Sequence, residues 1–356
     1  MSNRNYEKEL ERLITIVVNE NASDLHFLEG RPPIIRVSGF LIPLVKHTPL
    51  SKEDILNFLG MMVSPAYKER FLKTQELDFS YSFKKEARFR GNAYFQQESP
   101  GIALRFISHR IRSLKELSLP ASLEQFAYRQ QGFFLVVGPV GHGKTTTLAA
   151  LIEMINATRA EHIMTIEDPI EYVYEQKKSV ISQREVGVDT EGFHTALTSV
   201  FRQDIDVLLV GEMRDVETIS TAVTAAETGH LVFSTLHTNN AAQTISRIID
   251  SFPGDQQSQI RAQLAASLSG IFSQRLIPRI SGGLVPAYEL LINTTAVSNL
   301  IREERTHEIH SVIETGTENG MIDMNRSLAE LVRAGEITVE HARAFSMNPE
   351  ILMKLI

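Results

Sequence analysis

Gly138-Pro-Val-Gly-His-Gly-Lys-Thr145 fits the phosphate-loop pattern G-x-x-x-x-G-K-[ST] and is the first strong signal in the sequence. It follows an apolar run and precedes a helical one, as a phosphate loop requires. Backbone N–H groups and the positive end of the helix would surround the β- and γ-phosphates of a nucleotide, with Lys144 at the outer phosphates and the Thr145 hydroxyl on Mg²⁺. The predicted nucleotide-binding residues are Gly138, Pro139, Val140, Gly141, His142, Gly143, Lys144, Thr145 and Thr146.

Short apolar runs around this loop indicate a parallel sheet. They cover residues 133–137, 163–166, 207–210 and 231–235, and the segments between them are long enough for crossover helices. Each run ends in Gly, His, Asp or Glu. Because ligands of open parallel sheets sit at the carboxyl ends of the strands, these polar residues are predicted to surround the nucleotide.

Carboxylates at two of these strand ends are the candidate catalytic and metal-binding acids. Glu212 stands where P-loop enzymes place the acid that orients and deprotonates the attacking water. An Asp that helps to hold the metal usually precedes this Glu, but Gly211 occupies the place here. The acidic stretch Glu-Asp-Pro-Ile-Glu (167–171) ends the second run and is predicted to assist at the metal instead. The predicted Mg²⁺ ligands are Thr145, Asp168 and Glu171.

Two histidines bracket the fourth apolar run. His230 enters this strand and His237 leaves it, so about 20 Å of extended chain separates them and a shared metal is not expected. One of them could read the γ-phosphate while the other relays that state outward. A histidine in a strand is more often a satisfied core residue, and the residues alone leave both interpretations open.

The first part of the chain has a different pattern. Apolar spacing over residues 10–18 predicts a helix, and Ser51 with two acids behind it predicts the start of another. Strands are predicted over 24–28, 34–37, 40–44, 77–83, 87–95 and 102–106, with a tight turn at Ser38-Gly39. We therefore predict a small mixed α/β domain with a curved antiparallel sheet over residues 1–107, a linker over 108–118 and the larger α/β domain over 119–356.

Length, composition and charge exclude several classes of protein. A chain of 356 residues with 43% hydrophobic residues has material for two folded domains, and the absence of cysteine excludes disulfides, thiol catalysis and a Cys-ligated zinc site. The N-terminus is charged and no 18-residue apolar stretch occurs, so we expect neither a signal peptide nor a membrane span. This predicts a cytoplasmic protein. Residues 1–112 carry a net charge of +4 and the remainder −11, which argues against a nucleic-acid partner.

The order of these motifs resembles that of the secretion-superfamily ATPases, and more narrowly of the pilus-retraction branch. The resemblance covers almost the whole chain, from Ala22-Ser-Asp-Leu-His26 to Gly320-Met321. Its sharpest feature is Ala296-Val-Ser-Asn-Leu-Ile-Arg-Glu303, which is similar to a motif associated with retraction. The resemblance implies a PAS-like N-terminal domain, a RecA-like ATPase domain with a helical C-terminal region, and a homohexameric ring that binds ATP between the domains.

The resemblance also implies roles and partners. Arg90 and Arg105, with Arg88 matching less closely, would approach the phosphates, while Glu212 would be the catalytic acid and Glu171 a supporting acid. His230 and His237 would form the histidine box. The implied partners are a platform protein of the inner membrane, which would make the membrane association peripheral, and a second, accessory retraction ATPase. Departures from the family pattern are His142, Thr198, Ile205 and Ser298.

Three other interpretations remain open at this stage. A pilus-assembly or secretion ATPase is disfavoured by the short chain, the absent cysteines and the stretch 296–303. A RecA-like nucleic-acid translocase is disfavoured by the acidic larger half. A non-catalytic accessory ring is disfavoured by the presence of Lys144, Thr145 and Glu212.

Overall fold

The structure is a computed structural model that describes residues 5–37, 39–84, 87–107 and 110–356. These fall into two compact units. The N-terminal unit consists of the chain up to Arg110 together with Pro169–Val173, and the C-terminal unit consists of Ile111–Asp168 and Tyr174–Ile356. Ser38 of the predicted turn and residues 108 and 109 of the predicted linker lie outside the described residues.

The N-terminal unit is built on a six-stranded antiparallel sheet in the order β3-β2-β1-β6-β5-β4. Its strands are β1 (Asp24–Leu28), β2 (Ile34–Val37), β3 (Phe40–Pro43), β4 (Glu76–Phe83), β5 (Ala87–Gln96) and β6 (Ser99–Ile107). Its helices are α1 (Tyr6–Asn19), α2 (Lys52–Met62) and α3 (Pro65–Thr74). Helix α2 begins at the predicted Ser51, whose hydroxyl and Asp54 form a capping box. Buried side chains of α1, α2 and the sheet form one core, with Phe27 stacked on Phe58 at 5.0 Å between ring centroids.

The C-terminal unit contains a seven-stranded sheet in the order β13-β12-β7-β11-β10-β8-β9. All neighbouring pairs are parallel except β12 with β13. The strands are β7 (Gly132–Val137), β8 (His162–Glu167), β9 (Val180–Glu185), β10 (Val207–Val210), β11 (Leu231–Leu236), β12 (Leu268–Pro278) and β13 (Leu284–Ile292). Strands β7, β10 and β11 are buried along their whole length, which explains why their sequences are mainly apolar.

Helices surround this sheet and form a small separate core near the C-terminus. They are α4 (Glu124–Ala127), α5 (Lys144–Thr158), α6 (Phe193–Val200), α7 (Val216–Glu227), α8 (Ala241–Asp250), α9 (Gly254–Ser267), α10 (Thr295–Arg302), α11 (Ile309–Thr315), α12 (Met324–Arg333), α13 (Val339–Phe345) and α14 (Pro349–Leu355). Helix α12 packs on β13 and α13 on β12, while α14 packs on α12 and α13, with Leu328, Ala342 and Leu352 in the shared core. Among the described residues, no helix combines the length and apolarity needed to cross a bilayer.

The predicted fold class is confirmed, and the differences are additions. An antiparallel mixed α/β unit is followed by a mainly parallel nucleotide-binding sheet and a helical C-terminal part. Helix α3 and strands β9, β12 and β13 were not predicted. Strand β12 carries the polar sequence Ser273-Gln274-Arg275 in its middle, and this sequence hides the strand from a search for apolar runs.

Candidate active site

Three glycines of the phosphate loop have positive φ angles, and two of them lie too close to Gln274 for a side chain. Gly138 has φ +147°, and a Cβ there would lie 2.4 Å from the carbonyl oxygen of Gln274. Gly143 has φ +80°, and its Cβ would lie 2.9 Å from Nε2 of the same glutamine. Gly141 has φ +78° and open space around it, so only its backbone conformation requires glycine.

Replacing Gly138 is expected to disrupt the loop more than replacing Gly141. Gly138→Ala adds a backbone clash to a strained φ, so we expect it to lower the free energy of unfolding by about 2–4 kcal/mol and to abolish ATP binding. Gly141→Ala is the matched control, because it adds strain alone and should cost about 1 kcal/mol. Urea unfolding of both variants measures the difference. Equal destabilisation would show that the Gln274 contact does not constrain the loop.

Gln274 on β12 holds the loop in place, and it was not among the predicted site residues. Its side chain is buried and donates to the carbonyl oxygen of His142 at 2.9 Å, while its own oxygen accepts from the Thr147 hydroxyl at 2.6 Å. The signal that could have revealed it is the polar triplet inside an otherwise apolar segment.

His142 points its ring at β12. Its Nδ1 accepts from the backbone N–H of Leu276 at 2.9 Å, which requires an unprotonated Nδ1. Burial, Arg275 and Lys144 all lower the pKa of His142, so the ring is neutral at pH 7. Its nearest ring neighbour is Phe345 of α13, at 6.4 Å between centroids. This departure from the family pattern therefore ties the phosphate loop to the C-terminal helices.

Lys144 opens α5 and is turned inward. It is 7% exposed and donates to the carbonyl oxygens of Gly138 at 2.8 Å and Pro139 at 2.9 Å. Burial lowers the pKa of Lys144 to about 8, with Glu212 opposing that effect. A phosphate oxygen would replace the two carbonyl contacts and favour the charged amine.

His237 connects this lysine to the strand-end acid. Its Nδ1 lies 3.2 Å from Nζ of Lys144 and its Nε2 lies 3.4 Å from Oε1 of Glu212. Burial and the nearby Lys144 lower the pKa of His237, so a neutral ring can accept from the lysine and donate to the carboxylate. The structure thus brings three of the predicted residues into one chain of contacts.

Glu212 is paired with an arginine that the sequence analysis did not select. Arg214 donates to Oε2 of Glu212 at 2.9 Å and, as the largest cause, lowers the pKa of that carboxyl. The carboxylate is therefore ionised and able to accept a proton. A cavity of about 300 Å³ opens beside it, with His237 and Arg247 also in the lining.

His230 lies at the other end of β11 and does not join this group. Its Nδ1 is 3.0 Å from the carbonyl oxygen of Ala225, and its ring packs edge-on against Phe201. These are the contacts of a histidine held within its own unit, as in the alternative that the sequence left open.

Close packing of strand ends explains why glycine stands at position 211. A Cβ on Gly211 would lie 3.3 Å from the carbonyl oxygen of Ile166 and from Cα of Glu167. Glu167 is 4% exposed and accepts from the Thr165 hydroxyl at 2.7 Å. The neighbouring Asp168 is exposed, so it is the acid of this stretch in the C-terminal unit that a cation from solvent can reach.

Glu171 belongs to the N-terminal unit, where it meets one of the predicted arginines. Nη1 of Arg90 lies 3.4 Å from its Oε1. Burial raises the pKa of Glu171, against the lowering effect of Arg90, Arg105 and Arg88. Arg105 is held separately: its Nε donates to the buried Asp24 at 3.1 Å, while its side chain stays 72% exposed.

The residues present fit a nucleotide and Mg²⁺. The loop has glycines in conformations that other residues rarely adopt, and its lysine donates to carbonyl oxygens that a phosphate can replace. Thr145 and Asp168 are exposed and carry oxygen donors, the type that Mg²⁺ prefers. No group of three or more His, Cys, Asp or Glu side chains that could hold a metal occurs within the described part of the chain. Mg²⁺ commonly uses one or two protein carboxylates and takes its other ligands from phosphates and water.

Helix α10 carries the stretch 296–303 and divides it into two faces. Val297, Leu300 and Ile301 are buried, and the Ser298 hydroxyl donates to the carbonyl oxygen of Ala265 at 2.9 Å. The exposed residues of the stretch are Ala296, Asn299, Arg302 and Glu303. Ser298 therefore serves packing against α9, and the polar face is formed by the other positions.

A glycine-rich phosphate loop with an inward-facing lysine, together with an acid at the end of another strand of the same sheet, is the arrangement of a P-loop NTPase. Comparison with known protein families places the chain within this class. It belongs to the family described as Type II/IV secretion system protein, which matches residues 2–341.

Two similar proteins and one solved structure are named for type IV pilus retraction or twitching motility. The chain is 42% identical over 342 residues to the type IV pilus retraction ATPase PilT of Pseudomonas aeruginosa, covering 96% of this chain and 99% of that one. It is 45% identical over 319 residues to a twitching motility protein of Neisseria gonorrhoeae, covering 89% and 85%. The crystal structure of the pilus retraction motor PilT with bound ADP superposes with a TM-score of 0.91 at 44% identity, covering 96% of this chain and 98% of that one.

Proposed function

We propose that this protein is a motor ATPase that powers type IV pilus retraction. The observation that carries the proposal is the contact chain Lys144–His237–Glu212 in a protein that matches retraction ATPases over nearly its full length. In the proposed cycle ATP binds at the phosphate loop and is cleaved by water to ADP and inorganic phosphate. The binding residues are those of the loop, Gly138 to Thr146.

Each residue of the contact chain has a task in that cycle. Lys144 exchanges its two carbonyl partners for phosphate oxygens and neutralises charge that develops on the γ-phosphate. Glu212, ionised at neutral pH, orients the attacking water and accepts its proton. His237 lies between them and reports the state of the lysine to the acid. Bound Mg²⁺, held by Thr145 and Asp168, would supply further neutralisation of phosphate charge.

Arg90 and Arg105 are proposed to sense the γ-phosphate. Both are exposed at the guanidinium and each is paired with a carboxylate, Glu171 or Asp24. A phosphate offers a denser negative charge in the same fork geometry, so an exchange of partners on binding, reversed on phosphate release, can drive domain rotation. We propose a homohexameric ring as the working assembly, in which one subunit's rotation acts on the next.

The exposed face of α10 is the proposed contact toward the pilus machinery. It presents Asn299, Arg302 and Glu303 and is not needed for packing. We propose a cytoplasmic protein that docks peripherally on an inner-membrane platform protein, with a second accessory retraction ATPase as a further partner. Neither zinc nor nucleic acid is part of the proposal.

Deletion of the gene separates retraction from assembly. We expect hyperpiliated cells that do not twitch, because pili are still built but not withdrawn; this is scored by electron microscopy and a motility assay. Complementation with the wild-type chain should restore motility, and complementation with Glu212→Gln should not. Loss of pili on deletion would support an assembly ATPase instead, and salt-sensitive binding of the purified protein to single-stranded DNA would support a translocase.

A further inference from the structure

Glu289 is a buried carboxylate that the cycle described above does not use. It lies in the middle of β13, opposite Ser273 of β12, and is 2% exposed. Its Oε1 accepts from the backbone N–H of Ala241 at 2.8 Å. Ala241 is the first residue of α8, so the carboxylate satisfies a helix N-terminal amide that its own helix cannot.

The segment that Glu289 holds begins one residue after His237. Residues 238–240 connect His237 to α8, and two contacts of Asn239 lead to β12, the strand that pairs with β13. The Ser273 hydroxyl donates to the carbonyl oxygen of Asn239 at 2.9 Å, and Arg275 donates to the Asn239 side chain at 3.0 Å. Side chains of α8 hold the connection as well: the Thr238 and Thr244 hydroxyls lie 2.7 Å apart, and the Asn239 N–H donates to Gln243 at 2.8 Å. The connection that follows His237 is therefore held by β12 and β13 together with α8.

We propose that Glu289 is a positioning residue for ATP hydrolysis, which anchors the start of α8 and thereby aims His237 at Lys144 and Glu212. This inference rests on the proposed function. Glu289 is remote from the phosphate loop in sequence, and its hydrogen bond to Ala241 links it to the site through the backbone of the 238–241 connection. It should therefore influence turnover more than ATP binding, which the loop itself provides.

The surroundings of Glu289 suit a group that is held at the border of ionisation. Burial raises the pKa of Glu289 to about 7; the hydrogen bond from Ala241, His310 and Arg275 oppose this, and Asp323 adds to it. Either protonation state can accept the Ala241 N–H, so an amide in place of the acid preserves the anchor.

The test compares steady-state kinetics of Glu289→Met and Glu289→Gln. Methionine fills the volume but accepts no comparable hydrogen bond, so we expect kcat to fall about tenfold while KM for ATP changes by less than about threefold. Glutamine should stay within about threefold of wild type in both constants. Ser327→Ala is the matched control, because Ser327 bonds the adjacent Tyr288 backbone of β13 without touching the 238–241 connection.

A double-mutant cycle shows whether the effect passes through His237. In a His237→Ala background, Glu289→Met should change kcat by less than about twofold, because the ring that it aims is absent. Arg275→Met provides a second route to the same connection if Glu289→Met does not fold, and it should show the same non-additivity. Full additivity, or an equal loss in Ser327→Ala, would overturn the inference. Absence of ATPase activity in the wild-type protein would instead contradict the proposed function.

Discussion

Glu212→Gln is expected to lower kcat for ATP by about 10²–10⁴-fold while nucleotide still binds. The amide keeps the size of the side chain and can still meet Arg214 and His237, but it cannot accept the proton of the attacking water. Phosphate release from ATP measures kcat, and fluorescence of a labelled ATP analogue measures binding. Because Lys144 and the loop are unchanged, the dissociation constant should stay within about threefold of wild type.

Glu217→Gln is the matched control for this substitution. Glu217 lies five residues further on, in the exposed first turn of α7, and loses the same charge without facing the phosphate loop. It should keep turnover within about twofold, with at most a few tenths of a kcal/mol of helix stability lost. Turnover by Glu212→Gln that equals the control would refute the catalytic assignment.

Much of the ATPase fold can be read from the chain because its strands are simple. Strands β7, β8, β10 and β11 are almost entirely buried in a parallel sheet, and this burial produces the mainly apolar runs that were predicted. Strand β12 could not be read in the same way. Its polar centre serves the site, since Gln274 holds the phosphate loop and Arg275 contacts Asn239. The polar residues that serve the site therefore interrupt the apolar pattern by which a buried strand is recognised.

Site residues were predictable where a local motif or the end of a strand contains them. Contacts between segments that are distant in the sequence were not predictable. The phosphate-loop motif predicted Lys144, and the rule on carboxyl ends predicted Glu212, which lies two residues after the end of β10. Contacts such as Gln274 with His142 or Glu289 with Ala241 depend on three-dimensional proximity that no spacing encodes. The pairing of Arg90 with Glu171 is similar, because it joins positions 81 residues apart.

Lys144→Met is expected to abolish ATP binding, with a loss of at least about 10²-fold in affinity and no measurable turnover. A triphosphate at the loop would lose its only charge-assisted partner from α5, and methionine fills the space without a donor. Isothermal titration with ATP measures the affinity. Lys115→Met, at an exposed lysine outside the loop, should leave it unchanged.

The same substitution should stabilise the nucleotide-free protein, because the buried amine is charged at an energetic cost. The pKa of Lys144 falls from 10.5 in an unfolded chain to about 8 in the folded one, so between these values the unfolded state holds more protons and wild-type stability rises with pH. At pH 7 the full penalty is present, and Lys144→Met should be more stable than wild type by about 1–3 kcal/mol, less the loss of two hydrogen bonds. The difference should shrink as the pH approaches 10.

Saturating ATP should reverse the order of stability, since a 100-fold excess of ATP over Kd adds about 2.7 kcal/mol to the wild type alone. Thermal unfolding at pH 7 and pH 10, with and without ATP, tests all three effects, and a variant less stable than wild type at pH 7 without nucleotide would show that Lys144 is held at no cost.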